Sequence, residues 1–409
     1  MTGSPFSPIA LAPPDPILGL TEAFHADPNP NKVNLGVGVY QDENGRVPLL
    51  KVVQKAQELW RAREDSKSYI PIDGVAAYNR QIQSLLLGSD SPILAQGRAV
   101  TVQALGGTGA LKIGADFLKR FFPGSGIYIS SPSWENHRAL FEAAGFQVHS
   151  YPYYNERTHS VDFEKMVGML QKLPPRSIVL LHGSCHNPTG VDLSREQWDA
   201  LVTLFQSADL IPFIDFAYQG FGEGLEEDAY GVRAFADADI ACLIANSFSK
   251  TFSLYRERVG GLTILTAHAE ESQRVLSQVK RVIRTNYSSP PSHGAQIVAI
   301  ILADPQLRAE WEAELKEMRD RIHAMRSLFV QTLQEAGVEQ DFSFIARQSG
   351  MFSYSGLSAE AVRHLRSKYS LYIVESGRIC VAAMNRRNIG SICQAIASVL
   401  KSLNPVPAA

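Results

Sequence analysis

The run Ala99-Val100-Thr101-Val102-Gln103-Ala104-Leu105, followed at once by Gly106-Gly107-Thr108-Gly109-Ala110-Leu111-Lys112, decides how the rest of this chain is read. An apolar, β-branched run predicts a strand, the glycines break it, and the residues beyond them fall into helical spacing. The same order returns at residues 126–129, 177–181, 210–214, 241–245 and 260–265, with Gly, Ser, Pro and Asn gathered in the loops between. Continuous apolar runs alternating with helices predict an α/β fold, a mostly parallel central sheet flanked by helices on both faces. Ligands of such sheets sit outside the carboxyl ends of the strands. The loops are therefore where chemistry is expected.

Those loops carry an unusual set of side chains. Gly107 and Thr108 lie where a helix opens, so free backbone N–H groups and the positive helix end suit a phosphate. The GxxxxGK[ST] spacing of a P-loop is absent, and a Gly-rich turn alone serves equally well as a tight connection. Ser247, Ser249 and Arg258 bracket Lys250 and complete a phosphate cup, the arginine through a charge-assisted fork. Lys250, just past an apolar strand and among serines, is placed as an amine whose neutral form acts as a nucleophile, and a Schiff base with a carbonyl cofactor is its obvious use. Asp215 ends the run Leu210-Ile211-Pro212-Phe213-Ile214, where its carboxylate needs a cationic partner, either a protonated pyridine nitrogen or a structural ion pair. Tyr218 and Asn187, the latter in His186-Asn187-Pro188-Thr189-Gly190, are placed to hydrogen-bond a phenolate oxygen, and Trp134 to stack on an aromatic ring. Arg378 and Arg284 are candidate carboxylate ligands by their bidentate geometry, although most arginines serve no such purpose.

Outward from these loops, composition sets limits. The 409 residues allow two or three domains. With 39 basic against 41 acidic side chains and a net charge of -2, there is no general attraction to nucleic acid or anionic membrane. Four cysteines without a CxxC pair argue against a disulfide framework and a structural zinc site, so no metal is expected and a cytoplasmic setting fits. The start of the chain lacks the pattern of a signal peptide, Pro13, Pro14 and Pro16 break any early helix, and no apolar stretch approaches the length of a membrane span. Leu307, Trp311, Leu315, Met318, Ile322, Met325, Phe329 and Leu333 predict a long amphipathic helix closed by Gly337. Beyond it, short strand-like runs at 350–354, 371–374 and 378–382 predict a smaller α+β lobe, which residues 33–40 join unless they line the cleft. The expected division is an N-terminal segment over 1–48, a large domain over 49–315 and a small domain over 316–409.

Taken together, Gly107-Thr108, Ser131-Pro132-Ser133-Trp134, Cys185 through Gly190, Asp215 through Phe221, Ser247-Phe248-Ser249-Lys250, Glu257-Arg258-Val259-Gly260 and Ser376-Gly377-Arg378 resemble the class I aspartate/aromatic aminotransferases, in order and from Asp15 to the C-terminal helix. The resemblance implies a fold type I enzyme dependent on pyridoxal 5′-phosphate, held as a Schiff base on Lys250, and a homodimer with shared active sites. It makes Lys250 the acid/base that moves a proton, Asp215 the partner of the ring nitrogen with His137 behind it, and Asn187 and Tyr218 the ligands of the ring oxygen, with Trp134 stacked on the ring. Gly107, Thr108, Ser247, Ser249 and Arg258 take the phosphate, joined by Tyr69 from the other subunit. Arg378 grips the substrate α-carboxylate beside the backbone near Gly38, and the partner subunit's Arg284 takes a distal carboxylate. Ser131-Pro132 and Asn187-Pro188 become candidates for cis peptides.

The implied reaction is ping-pong: an amino group leaves Phe, Tyr or Trp, and also Asp or Glu, and passes to 2-oxoglutarate. Gln41, Val47, Ser289 and Pro71 stand where aspartate-preferring bacterial relatives tend to carry lysine, threonine, asparagine and glycine, which favours the aromatic branch. Ser68 matches neither branch. Glu375 replaces a usually small residue and would weaken carboxylate binding if it points toward Arg378. The alternatives are an aspartate aminotransferase with little aromatic activity and, remotely, a non-catalytic regulator that binds the same cofactor. No appended DNA-binding segment or basic patch supports the regulator.

Overall fold

The computed structural model describes residues 4–12 and 17–403. The expectations placed on Met1 to Gly3 and on Pro13, Pro14 and Pro16 fall outside the described residues. The central sheet has seven strands: β1 Ala99–Leu105, β2 Ile127–Ser131, β3 Val148–Pro152, β4 Ile178–His182, β5 Ile211–Phe216, β6 Leu243–Ser247 and β7 Val259–Leu265. Their spatial order is β1-β7-β6-β5-β4-β2-β3. Every neighbouring pair is parallel except those of β7, which runs antiparallel to both β1 and β6.

The six predicted runs are all strands, and their unbroken apolar character has the expected cause. Alternate residues feed two separate cores: Ile178 and Leu180 of β4 face one side, Val179 and Leu181 the other. Helices Gly106–Phe121 and Ala269–Asn286 cover the first face with Leu111, Ile113, Leu118, Val279 and Ile283. Helices Arg195–Ala208 and His293–Ala303 cover the second with Trp198, Leu201, Phe205, Ile297 and Val298.

The predicted long helix runs Pro305–Glu335 and buries all eight residues named for it. Asp304 caps it by accepting from the N–H groups of Gln306 and Leu307, and proline occupies its first turn, where no N–H is missed. Gly337, at φ +75°, follows its end. The helix passes residue 315 without a break. Its Trp311 stacks on Phe252 at 4.4 Å and donates to the Thr251 carbonyl at 2.9 Å. That contact braces the turn directly after Lys250, and truncating so deeply buried a ring costs about 3–5 kcal/mol.

Beyond the helix, Phe352–Tyr354 pairs antiparallel with Arg378–Cys380. Val33–Asn34 pairs parallel with Leu371–Tyr372. Among the described residues, no helix is long and apolar enough to cross a membrane.

Candidate active site

The topology gathers the loops at one edge. β1, β2, β4, β5 and β6 end there, delivering Gly107 and Thr108, Trp134, Asn187, Asp215 with Tyr218, and Ser247 through Lys250 in turn. Because β7 runs the other way, it begins at that edge, and Arg258 immediately before it arrives beside the serines. A cavity of about 540 Å³ opens there, lined by Gly38, Gly107, Thr108, Trp134, Asn187, Asp215, Tyr218, Ser247, Ser249, Lys250, Arg258 and Arg378, with Glu135, Tyr255 and Phe352 among the others.

One end of this cavity is a set of donors. Helix Gly106–Phe121 presents its first N–H groups, which have no intrahelical acceptor. Ser249 Oγ accepts from Arg258 Nη1 and from Ser247 Oγ, both at 3.2 Å. Arg258 also donates to the Tyr255 carbonyl at 2.9 Å, and among the described residues it forms no ion pair. Gly106 holds a positive φ of +69°, and a Cβ there would lie 2.5 Å from Arg258 Nη2, so a side chain would strain the backbone and push the guanidinium. Hydroxyls, a helix N-terminus and a guanidinium free of carboxylates suit a dianionic phosphate.

At the other end Asp215, on β5 directly opposite His182 on β4, accepts from His137 Nε2 at 2.9 Å. His137 Nδ1 lies 2.9 Å from Ser133 Oγ, which is 3.4 Å from His182 Nε2. Burial by itself would raise the Asp215 carboxyl, but the His137 hydrogen bond and the positive surroundings, Lys250 among them, outweigh it and hold the group below its usual range. Asp215 is therefore an anion facing the cavity. His182 is pushed down to about 3, chiefly by burial and then by His137, and so stays neutral. Burial and the Asp215 charge push the Tyr218 phenol up, leaving it a neutral donor.

Lys250 lies between these ends with its Nζ 4.7 Å from the Tyr218 ring centre. Burial lowers its pKa to about 8 against the opposing pull of Asp215, and Arg258 and Arg378 add to the lowering. A measurable consequence follows in the ligand-free protein. Reductive methylation of Lys250 by formaldehyde, followed by mass spectrometry, rises with pH around a midpoint near 8, because only the neutral amine attacks. Exposed lysines rise about two pH units higher, and a Lys250 midpoint shared with them would contradict the assigned environment.

Arg378 is 1% exposed. Its Nη1 donates to Asn187 Oδ1 at 3.2 Å and its Nη2 to the Gly36 carbonyl at 2.7 Å, while its guanidinium lies 4.4 Å from the Phe352 ring centre. Sequence reasoning missed two residues behind this arrangement. Phe352 was legible only as part of a strand. Arg326, fully buried, donates to the carbonyls of Ile345, Ser349, Gly350 and Phe352, and so pins the segment that carries that ring. Glu135 was also missed, although it adjoins Trp134. Glu375 does not point inward: it is exposed and lies within 4 Å of Arg363 and Arg366.

Ser131-Pro132 and Asn187-Pro188 are both cis. Two of the site candidates stand apart from the cavity. Tyr69 is 96% exposed. Arg284, exposed on helix Ala269–Asn286, donates to Ser288 Oγ.

Residues 30–396 match the family model described as aminotransferase class I and II. The chain is 55% identical over 395 residues to an aspartate aminotransferase of Pseudomonas aeruginosa, covering 97% of this chain and 99% of the relative. It is 51% identical to the aromatic-amino-acid aminotransferase of Escherichia coli, covering 94% and 98%. A crystal structure of an aromatic-amino-acid aminotransferase from Burkholderia pseudomallei, covalently bound to pyridoxal phosphate, superposes with a TM-score of 0.95 at 57% identity, covering 98% and 100% of the two chains.

Proposed function

The chain belongs to the class I and II aminotransferases, and we propose that it transfers the amino group of Phe, Tyr or Trp, and also of Asp or Glu, to 2-oxoglutarate with pyridoxal 5′-phosphate held on Lys250. One observation carries this reading: Lys250, lowered to about 8, shares a single cavity with an ionised Asp215, a carboxylate-free phosphate cup and the buried Arg378. The donor set fits the cofactor's phosphate at one end, and the Asp215 anion fits a protonated ring nitrogen at the other.

When bound, the cofactor supplies an electron-withdrawing ring that takes up negative charge developing at the amino acid's Cα. The chain's own residues do the rest. Gly107 and Thr108 offer N–H groups to the phosphate, Ser247 and Ser249 their hydroxyls, and Arg258 its charge. Asp215, oriented by His137, holds a proton on the ring nitrogen. Tyr218 donates through its phenol to the ring oxygen; Asn187 donates through Nδ2, its Oδ1 being engaged by Arg378. Trp134 stacks on the ring. Arg378 would bind the α-carboxylate beside Gly38, and Lys250 Nζ would take the proton from the amino acid's Cα and hold it for return on the far side of the amine nitrogen.

Tyr69 and Arg284 take part through a homodimer, each reaching the site of a second copy, where they bind phosphate and a distal carboxylate. Their exposure outside their own chain's cavity supports that assignment. A cytoplasmic location is in keeping with four buried, unpaired cysteines.

The aspartate reading has support of its own in the 55% identity to an aspartate aminotransferase, which is why acidic substrates belong in the proposal. The half-reaction without an acceptor separates the two. Phenylalanine and tyrosine each convert the loaded enzyme at rates comparable with aspartate; indifference to both would leave a strict aspartate aminotransferase.

A further inference from the structure

Arg378 is a buried guanidinium whose fixed acceptors, Asn187 Oδ1 and the Gly36 carbonyl, are both neutral, and its Nε has no hydrogen-bond partner. A buried charge is costly unless it is paired with an opposite one or its hydrogen bonds are all met. Among the described residues its ion pair within 4.0 Å is with Glu135, whose Oε2 lies 3.7 Å from Arg378 Nη1. That distance is too long for a hydrogen bond. The Glu135 Oε2 is itself buried and makes no hydrogen bond, although the side chain as a whole is 32% exposed. The carboxylate is thus held by charge alone, at the place where a substrate carboxylate must arrive.

Glu135 also has somewhere to go. It lines a second cavity of about 820 Å³, whose walls include Leu20, Ala23 and Val374 together with Arg366, Glu22 and Glu375. It is the first residue of helix Glu135–Ala143, whose positive end favours a carboxylate whichever way the side chain turns. Turning into the second cavity would exchange a loose contact with Arg378 for water beside Arg366, which already lies 3.9 Å from Glu375.

We propose that Glu135 is a resident counter-ion of Arg378 that an incoming carboxylate displaces into the second cavity, so that this side chain sets the site's affinity for the substrate α-carboxylate. The inference rests on the reading of Arg378 given above. Glu135 touches no reacting atom and competes with the substrate instead.

The test uses the cofactor-loaded enzyme and two unreactive probes: 3-phenylpropionate, which carries the carboxylate, and 3-phenylpropionamide, its neutral counterpart. Dissociation constants are read from the cofactor's absorbance or by calorimetry. In Glu135→Gln, phenylpropionate binds roughly five- to tenfold tighter, whereas the amide binds as it does to the original enzyme. Glu135→Asp, which keeps the charge on a shorter stem, falls between. A merely structural role would move both probes together, and that result overturns the proposal, as does unchanged or weaker binding of phenylpropionate to Glu135→Gln. An Arg378→Ala arm separates the two levels. If it weakens phenylpropionate while Glu135→Gln has no effect, the counter-ion proposal alone fails. If Arg378→Ala leaves phenylpropionate binding unchanged, the carboxylate reading of Arg378 fails and the proposal with it.

Discussion

Replacing Lys250 by alanine should lower the turnover number by about 10⁴-fold or more, because on the proposed reading one side chain supplies both the amine that anchors the cofactor and the base that moves the proton. The loss is chemical rather than structural. The donors at Gly107, Thr108 and Arg258, and the Asp215–His137 pair, are built from other elements and stay in place. Folding stability moves the other way. A lysine held at about 8 when folded, below its unfolded value, opposes folding in full at every pH below about 8, neutral pH included. That penalty fades as pH rises from about 8 to the unfolded value. At pH 7 the variant therefore melts no lower than the original protein. Steady-state assays beside a thermal melt check both parts, and full transaminase activity in the variant would refute the role of Lys250.

The second large effect is at Asp215. Asp215→Asn keeps the shape and still accepts from His137, but it removes the charge that, on the proposed reading, would hold a proton on the ring nitrogen. A preorganised charge in a partly dry site is worth roughly 3–4 kcal/mol, or about 10²–10³ in turnover. The expected signature is a fall of that size in kcat with a much smaller change in KM for the amino acid, since Arg378 and Asn187 are untouched. A loss below tenfold would mean that Asp215 serves the fold and not the ring.

Much of this was legible in the sequence, for identifiable reasons. The inner strands are covered on both faces, so their apolar runs are unbroken. The strand at 148–152 was not foreseen because it lies at the sheet's edge, where His149 and Ser150 are exposed and Pro152 ends it. The reversed direction of β7 has no local signature, yet it is what brings Arg258 to the phosphate cup. Lys250, Asp215, Tyr218 and Asn187 could be found because each follows or ends a predicted strand. His137 could not be tied to Asp215 by spacing, since the two are 78 residues apart, and the pairing rested on resemblance.

The acidic neighbour of Arg378 shows the limit of proximity in sequence. Glu375 is three residues away, but the chain turns it outward to Arg363 and Arg366. Glu135, more than two hundred residues distant, stands beside the guanidinium instead. Tyr69 and Arg284 mark the other limit: their assigned roles need a second copy, which no single chain's pattern can display.

The central claim, that Lys250 and its cavity take the amino group from aromatic amino acids, is tested most directly by following the product of the acceptor-free half-reaction. Loaded enzyme mixed with phenylalanine should release one equivalent of phenylpyruvate per Lys250, and subsequent 2-oxoglutarate should yield one equivalent of glutamate. Release of oxaloacetate from aspartate with no phenylpyruvate from phenylalanine would contradict it.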